Sequence, residues 1–510
     1  MKALLLFTLL FLFNLAFATK KDYIVYLGGH SYTADPTSDD FERTTLSHYD
    51  LIGSILGRKL IGARSYNLGD QHLPNGDPSP RDIDGHGTHT LSTAGGAFVR
   101  GASIFGQGRG TARGGAPRAR LAAYKICWIG CSDANILAAF DDAIHDGVQV
   151  ISISVGSPAS EYATDSLAIG ALHAAQRGVI VVASGGNDGP LPGTVENVAP
   201  WILTVGASTI DRDFASYLTL GNNKRIRGES LSQKSLPATT FYPLIDGAAA
   251  KLHNASQEEA SPRASISPVS TQLRVKPSPV MAGFSSQGPN LINLEILKPD
   301  ITAPGVNILA AFTDAIGPSG IPNFFFHNAA RTRDNKRTPM KDLNFVKATP
   351  FHYGAGHVRP NRAMDPGLVY DLTFADYVDF ICTRGYGPNA TAALVGRGYR
   401  CPKKPIRVEN LNYPSIAVPQ LAKSFTVTRR LKNVGAVPAK YRVTVKAPFM
   451  IQVAVEPTVL RFERIGEEKK FHVLLTSSNA SVGVGFLFGG LTWSDGKHYV
   501  RSPITVNVVS

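Results

Sequence analysis

Between Arg120 and Gly206 the chain repeats one pattern, a short apolar run followed by a segment of helical period, and this alternation restricts the fold more than any other feature. The runs are RLAAYKI from Arg120, VQVISISV from Val148, VIVVAS from Val179 and WILTVG from Trp201. The segment SDANILAAFDDAIHDG places Ile136, Leu137, Phe140 and Ile144 on one helical face, with Ser132 or Asp133 as its cap and Gly147 as its stop. A second helix is expected from an Asp165 cap through SLAIGALHAAQR to Gly178. Strands that are apolar throughout and alternate with helices predict a doubly wound α/β fold, a parallel sheet covered on both faces. Functional side chains in such sheets gather at the carboxyl ends of the strands.

The rest of the chain differs in texture. With 510 residues, 43% of them apolar and 18% charged, the composition is that of a globular chain of two to four domains. From Leu411 to Ser510 short alternating strands are punctuated by turn residues, which predicts a separate all-β sandwich. Tyr353 to Pro402 reads as a Gly/Pro-rich connector.

The N-terminus carries Lys2, an apolar run from Ala3 to Phe13 and the small residues Ala16 and Ala18, the pattern of a cleaved secretory signal. A membrane anchor is the alternative, but the run is shorter than the roughly 20 residues a span needs. Export through an oxidising route suits four cysteines. Of the three possible pairings, proximity favours Cys127 with Cys131 and Cys382 with Cys401, and reduced thiols are the other reading. Asn254, Asn389 and Asn479 open N-glycosylation sequons. The net charge of +13 and the arginines of GRGTARGGAPRAR raise nucleic acid as a partner. That segment has no aromatic residues to stack on bases, so a solvated basic surface is the better reading and no nucleic acid is expected. No membrane partner is expected once the signal is removed. No cofactor is called for, and no acidic cluster of the calcium-binding kind, nor any zinc spacing, stands out.

Two motifs fall where the carboxyl-edge rule would put them. In RDIDGHGTHTLSTAGG, His86 opens a predicted helix in a setting that suits a general base. In SGGNDGP, Asn187 follows the strand VIVVAS within a glycine-rich turn; taken alone it reads as a turn residue. Together the motifs say more. DIDGHGTHT resembles the histidine motif of the subtilases, ASGGNDGP their oxyanion asparagine motif, and FSSQGPN with ILKPDITAPGVNILAA the segment that leads towards their serine. YIVYLGGHS, PFHYGAGHVRPNRAMDPGLVYD, LNYPSI and LTWSDGKHYVRSPI are similar to the plant cucumisin-like branch of that family. The resemblance implies a secreted serine endopeptidase of subtilisin-like fold, made as a zymogen, acting on protein or peptide substrates and carrying a C-terminal domain similar to fibronectin type III. It implies His86 as general base and Asn187 as the side-chain donor of the oxyanion hole.

By the same resemblance residues 1–18 are a signal peptide, 19–57 a truncated propeptide, 58–352 an incomplete peptidase domain, 353–410 a connector and 411–510 the β-sandwich. The protease-associated insert is largely absent near residues 250–280. The triad aspartate of the family sits in Asp-Thr-Gly or Asp-Ser-Gly, and neither tripeptide occurs anywhere in this chain. SHYDLIGSILG, similar to the first propeptide helix, runs straight into RKLIGARSYN, similar to sequence beyond that aspartate. Gly-Thr-Ser-Met is likewise absent: GVNILAAFTDAIGPSGIP continues into NFFFHNAARTRDN, and Ser319 in its turn-like tetrapeptide is a poor substitute. Asp82 and Asp84 are too close in sequence to reach the far ring nitrogen of His86 without an unusual turn. Three function readings follow: a secreted subtilase deficient in catalysis through loss of blocks, a pseudoprotease that binds peptides or proteins, and a hydrolase rebuilt around Ser285 or Ser286. The sheet is expected to be recognisable but short of the lost strand, and the destination of the chain extracellular, in the cell wall or apoplast.

Overall fold

The computed structural model describes residues 23–27, 59–68, 79–128, 130–231, 236–237, 239–243, 263–312, 333–363, 365–396, 399–477 and 485–509. The expected signal peptide, most of the expected propeptide, Asn254, Ser319 and Asn479 lie outside them. In chain order the α/β region runs β1 (Tyr23–Leu27), β2 (Leu60–Ser65), α1 (His86–Gly95), the hairpin β3 (Val99–Ile104) and β4 (Gln107–Ala112), β5 (Arg120–Lys125), α2 (Asp133–His145), β6 (Val150–Ile153), α3 (Ser166–Gln176), β7 (Ile180–Ser184) and β8 (Ile202–Ser208). A small antiparallel sheet follows, made of β9 (Arg212–Leu220), β10 (Arg225–Glu229), β11 (Tyr242–Pro243), β12 (Arg263–Ile266) and β13 (Ser270–Leu273). Then β14 (Ile301–Pro304) returns to the main sheet. That sheet has seven strands in the order β14-β8-β7-β6-β1-β5-β2, parallel at every pairing.

The two expected helices form where their caps put them. Ser132 accepts from Asn135 N at the start of α2, and Asp165 accepts from Leu167 N and Ala168 N at the start of α3. The buried stripe of α2 is Asn135, Ile136, Ala139, Phe140 and Ala143, whereas Leu137 and Ile144 are only half-buried. Asn135 sets this rotation: its side chain donates to Ile126 O at 3.0 Å and accepts from Leu68 N at 2.7 Å, so a polar residue faces inward. Gly170 of α3 lies against the ring of Phe140 so closely that a Cβ there would fall 2.3 Å from it.

The main sheet shows no open slot. Between β5 and β6 lies β1, with Val25 opposite Ala122 on one side and Ile151 on the other. This segment is assigned in the sequence to the propeptide, yet here it is an interior strand. The physical reason is the demand of two buried strand edges, whose N–H and C=O groups need partners that only an extended segment can supply.

The stretch read as a connector is more ordered than its glycines and prolines suggest. It holds a short strand β15 (Leu368–Val369), then α4 (Phe374–Thr383) and α5 (Pro388–Val395). Thr373 and Asp376 close a capping box on α4, and Phe380, Ile381 and Leu394 join the same core as Phe140 and Trp201. Cys382 and Cys401 are disulfide-bonded, as are Cys127 and Cys131 at the turn before α2. The β domain consists of β16 (Ile416–Leu421), β17 (Ser424–Asn433), β18 (Ala439–Lys446), β19 (Ile451–Glu456), β20 (Val459–Phe462), β21 (Glu468–Ser477), β22 (Phe486–Ser494) and β23 (Tyr499–Val508). A four-stranded sheet, β15-β17-β21-β19, faces a five-stranded one, β16-β23-β22-β18-β20, and β15 thus belongs to the sandwich although it precedes α4 in the chain. Trp493, Phe471 and Phe462 fill the space between the sheets. Among the described residues no helix is long and apolar enough to cross a membrane.

One buried ion pair ties these parts together. Lys298 is fully buried; its Nζ donates to Ile202 O and to Asp300 Oδ2, each at 2.7 Å. Asp300 also accepts from Thr204 N at 2.8 Å and from the hydroxyl of Tyr413, which stands where the connector meets the β domain. Burial pushes the ammonium of Lys298 below its usual range, and Asp300 opposes that push. Replacing Lys298 by Met leaves a buried carboxylate unpaired, a loss of about 3 to 5 kcal/mol. Thermal unfolding is expected to show it, with Lys298→Met/Asp300→Asn more stable than the single Lys298 variant. Deletion of residues 19–57 removes β1 from between β5 and β6. The expected outcome is loss of the cooperative transition in near-UV circular dichroism, and a wild-type melt from that shortened chain would refute the role given to β1.

Candidate active site

The loop that leads to His86 begins at the carboxyl end of the sheet, because Lys125, the last residue of β5, donates from Nζ to Arg81 O at 2.8 Å. The helix then runs back along β5: a Cβ on Gly95, at its far end, would press into Leu121 near the start of that strand. His86, at the first position of α1, is therefore held at the carboxyl edge, half-buried. Gly85 takes the left-handed φ of 99° that the turn requires, and Phe312 packs where its side chain would be. Asp82 caps the helix from outside. Its Oδ1 accepts from Asp84 N at 3.1 Å and Gly85 N at 2.8 Å, and its Oδ2 accepts from Thr88 N at 2.6 Å and Thr88 Oγ1 at 2.7 Å. Asp84 accepts from His86 N at 3.3 Å. The two acids nearest His86 in sequence thus serve the backbone of the turn.

The segment Val306–Phe312 lies beside the same helix. Ala311 N donates to Ser92 Oγ at 2.9 Å, the His89 ring bonds Ile308 O at 3.0 Å, and Phe312 meets His89 edge to face. Burial holds the His89 imidazole below its usual range, which favours the neutral form. The sequence that follows Phe312, where a nucleophile would be sought, lies outside the described residues.

Asn187 is exposed, in the turn after β7. Gly186 takes a φ of 96°, and Ser286 pins the turn: its hydroxyl accepts from Asp188 N at 2.9 Å and its own N donates to Gly186 O at 3.1 Å. Ser285 braces the next strand in the same way, accepting from Ala207 N at 2.9 Å. Both hydroxyls are buried, Ser286 at 0% exposure and Ser285 at 6%, so FSSQGPN is a scaffold for the Asn187 turn rather than a source of nucleophile. The structure brings His86 and Asn187 to one edge of the sheet, with β1 and β6 between their strands. Of the glycosylation candidates Asn389 is described and stands exposed in the first turn of α5.

Two neighbouring residues complete this edge and carry no signal in the sequence beyond a lone acid and amide in a loop. Asn197 donates from Nδ2 to Val155 O and Ser184 O, each at 3.0 Å, and so clamps the turn after β6 to the end of β7. Its carbonyl accepts from Thr204 Oγ1 at 2.6 Å. Glu196, beside it, is buried, and its carboxyl rests against Gly156 and Gly186. Chemically the edge offers an imidazole, an exposed amide next to a glycine turn, and a buried acid.

The comparisons with known proteins agree with this architecture. Residues 44–340 match the model of the subtilase family, and residues 410–506 match a fibronectin type-III domain. Subtilisin-like protease SBT5.3 of Arabidopsis thaliana is 42% identical, covering 88% of this chain and 75% of its own length. Subtilisin-like protease SBT5.4 of the same plant is 40% identical over 89% of this chain and 75% of its own length. Subtilisin-like serine-protease S of Lotus japonicus is 36% identical over 94% and 80%. By its motifs, its parallel sheet and these relatives, the chain belongs to the subtilase family of proteases and carries a fibronectin type-III domain at its C-terminal end.

Proposed function

We propose that this chain is a secreted subtilase, an endopeptidase by descent, that is deficient in peptide hydrolysis. The observation that carries the reading is the occupation of every side chain proposed to replace the lost pair and seen in the structure. Asp82 and Asp84 cap the turn of His86, and Ser285 and Ser286 accept from backbone amides. Acyl transfer needs a hydroxyl for His86 to deprotonate and a carboxylate to orient the ring and stabilise its charged form. In subtilisin, loss of the serine lowers turnover about a million-fold and loss of the aspartate about ten-thousand-fold. An imidazole and an oxyanion donor by themselves leave little.

Loss of whole blocks accounts for the deficit better than drift at single positions. The alignment with SBT5.3 spans 583 positions but uses 88% of a 510-residue chain, so more than a hundred positions of that relative have no counterpart here. A second reading is a pseudoprotease that binds peptides along the carboxyl edge. It is favoured by the clamp of Asn197, which keeps the turns after β6 and β7 fixed and leaves Asn187 exposed.

A fluorophosphonate probe, which labels activated serines, is expected to leave the secreted protein unmodified, as read by intact mass; stoichiometric labelling of any serine would overturn the deficiency. Sequencing of the full-length transcript is expected to separate block loss from a retained pseudoprotease, since recovered aspartate and serine segments would mean that the locus encodes a longer, active enzyme.

A further inference from the structure

On the five-stranded sheet of the sandwich, β18 alternates the buried Tyr441 with the exposed Lys440 and Arg442. Lys440 stands directly opposite Arg461 of β20, and Arg442 directly opposite Ser494 of β22. Positions two apart on a strand lie roughly 7 Å from each other and opposed positions roughly 5 Å, so one outward face gathers three positive charges in a small area. All three side chains are exposed, and among the described residues none of them forms an ion pair. Like charges set directly opposite repel, and no acid of the chain pairs with these to offset the repulsion. Lys440 and Arg442 line a cleft of about 680 Å³, together with Ala436, Pro438, Ser494 and the turn Asp495–His498. The one acid of that lining is already engaged. Asp495 Oδ1 accepts from Lys497 N at 2.9 Å and from His498 N at 2.6 Å, and its Oδ2 lies 2.7 Å from His498 Nδ1. Lys497 is paired as well, its Nζ donating to Asp365 Oδ2 at 2.6 Å. The turn is thus held in shape by its own charges, while Lys440, Arg442 and the flanking Arg461 are left to meet an anion from outside.

From this juxtaposition we infer that the cleft between β18 and the β22–β23 turn binds a carboxylated polysaccharide, a chain of uronic-acid sugars whose successive carboxylates meet Lys440, Arg442 and Arg461. The site does not depend on any reading of the carboxyl edge of the main sheet. Cations repeated at strand spacing match an anion that repeats its charge, and a guanidinium donates two parallel N–H bonds to one carboxylate. Other polyanions fit the cleft less well. Its lining holds no aromatic side chain on which a base could stack, which disfavours nucleic acid. β18 is already paired on both sides, with β20 and β22, so an extended acidic peptide finds no open strand edge along these cations. The apolar lining is Ala436, Pro438 and Ala439, small side chains with too little area to insert into a lipid surface.

The test measures fluorescence anisotropy of dye-labelled polygalacturonate oligomers on the full chain, against the same oligomers fully methyl-esterified, which keep the sugar and lose the charge. The acid form is expected to bind about tenfold more tightly, as three exposed charge contacts would give. Lys440→Gln/Arg442→Gln/Arg461→Gln is expected to remove that difference. Arg100→Gln/Arg109→Gln/Arg113→Gln, which takes the same number of exposed charges from the region of β3 and β4, is expected to change the affinity by less than about twofold. The comparison of the two oligomers on the unaltered chain does not depend on any variant folding. Equal affinity for the acid and the ester overturns the inference, as does equal weakening by the two triple variants, which would trace binding to net charge alone. Tighter binding of labelled oligoglutamate or single-stranded DNA than of the uronate overturns the choice of a polysaccharide.

Discussion

The buried pair of Lys298 and Asp300 is the point on which the architecture turns. An ammonium with no exposure and the carboxylate beside it are tolerated inside the molecule because each is also bonded to something else: Ile202 O for the lysine, Thr204 N and the Tyr413 hydroxyl for the aspartate. Those partners come from β8 and from the segment entering the β domain, while the pair itself lies on the approach to β14. The sheet edge and the segment entering the sandwich are therefore tied together by a network in which no member can be removed cheaply. Arg429 repeats the principle from the sandwich side, with its buried guanidinium donating to the carbonyls of Tyr413, Glu409 and Ser415.

With the frame held, the carboxyl edge keeps its shape. Asn197 bridges two turns, Ser286 holds a third segment against the same place, and Asp82 caps the helix that carries His86. Of these bonds only those of Asp82 are local in sequence; Asn197 reaches back to Val155, and Ser286 to Asp188. In such a site the hydrogen bonds that shape the edge and the side chains that react are different sets of atoms.

The sheet makes a related point about strand edges. Deleting a strand from an all-parallel sheet leaves two interior edges with unmet backbone groups, a larger deficit than a missing side chain. Here Tyr23–Leu27 lies in register with both neighbours. Its β-branched and aromatic residues suit an interior strand as well as they suit the propeptide strand they resemble, since strand propensity does not specify which sheet a segment joins.

The sequence by itself determined the α/β class, the helices capped by Ser132 and Asp165, the β-sandwich and the placing of His86 and Asn187 after recognisable turns. These follow from short-range rules, periodicity, caps and glycine turns, that act within a few residues. Only the tertiary structure decided that Asn135 faces inward, that the Gly/Pro-rich connector packs two helices into the main core, that β1 lies between β5 and β6, and that Glu196 is buried opposite two glycines. Each of those depends on residues far apart in the chain meeting in space, Leu68 with Asn135 or Gly156 with Glu196, and a lone polar residue in a loop has no period from which its burial could be read.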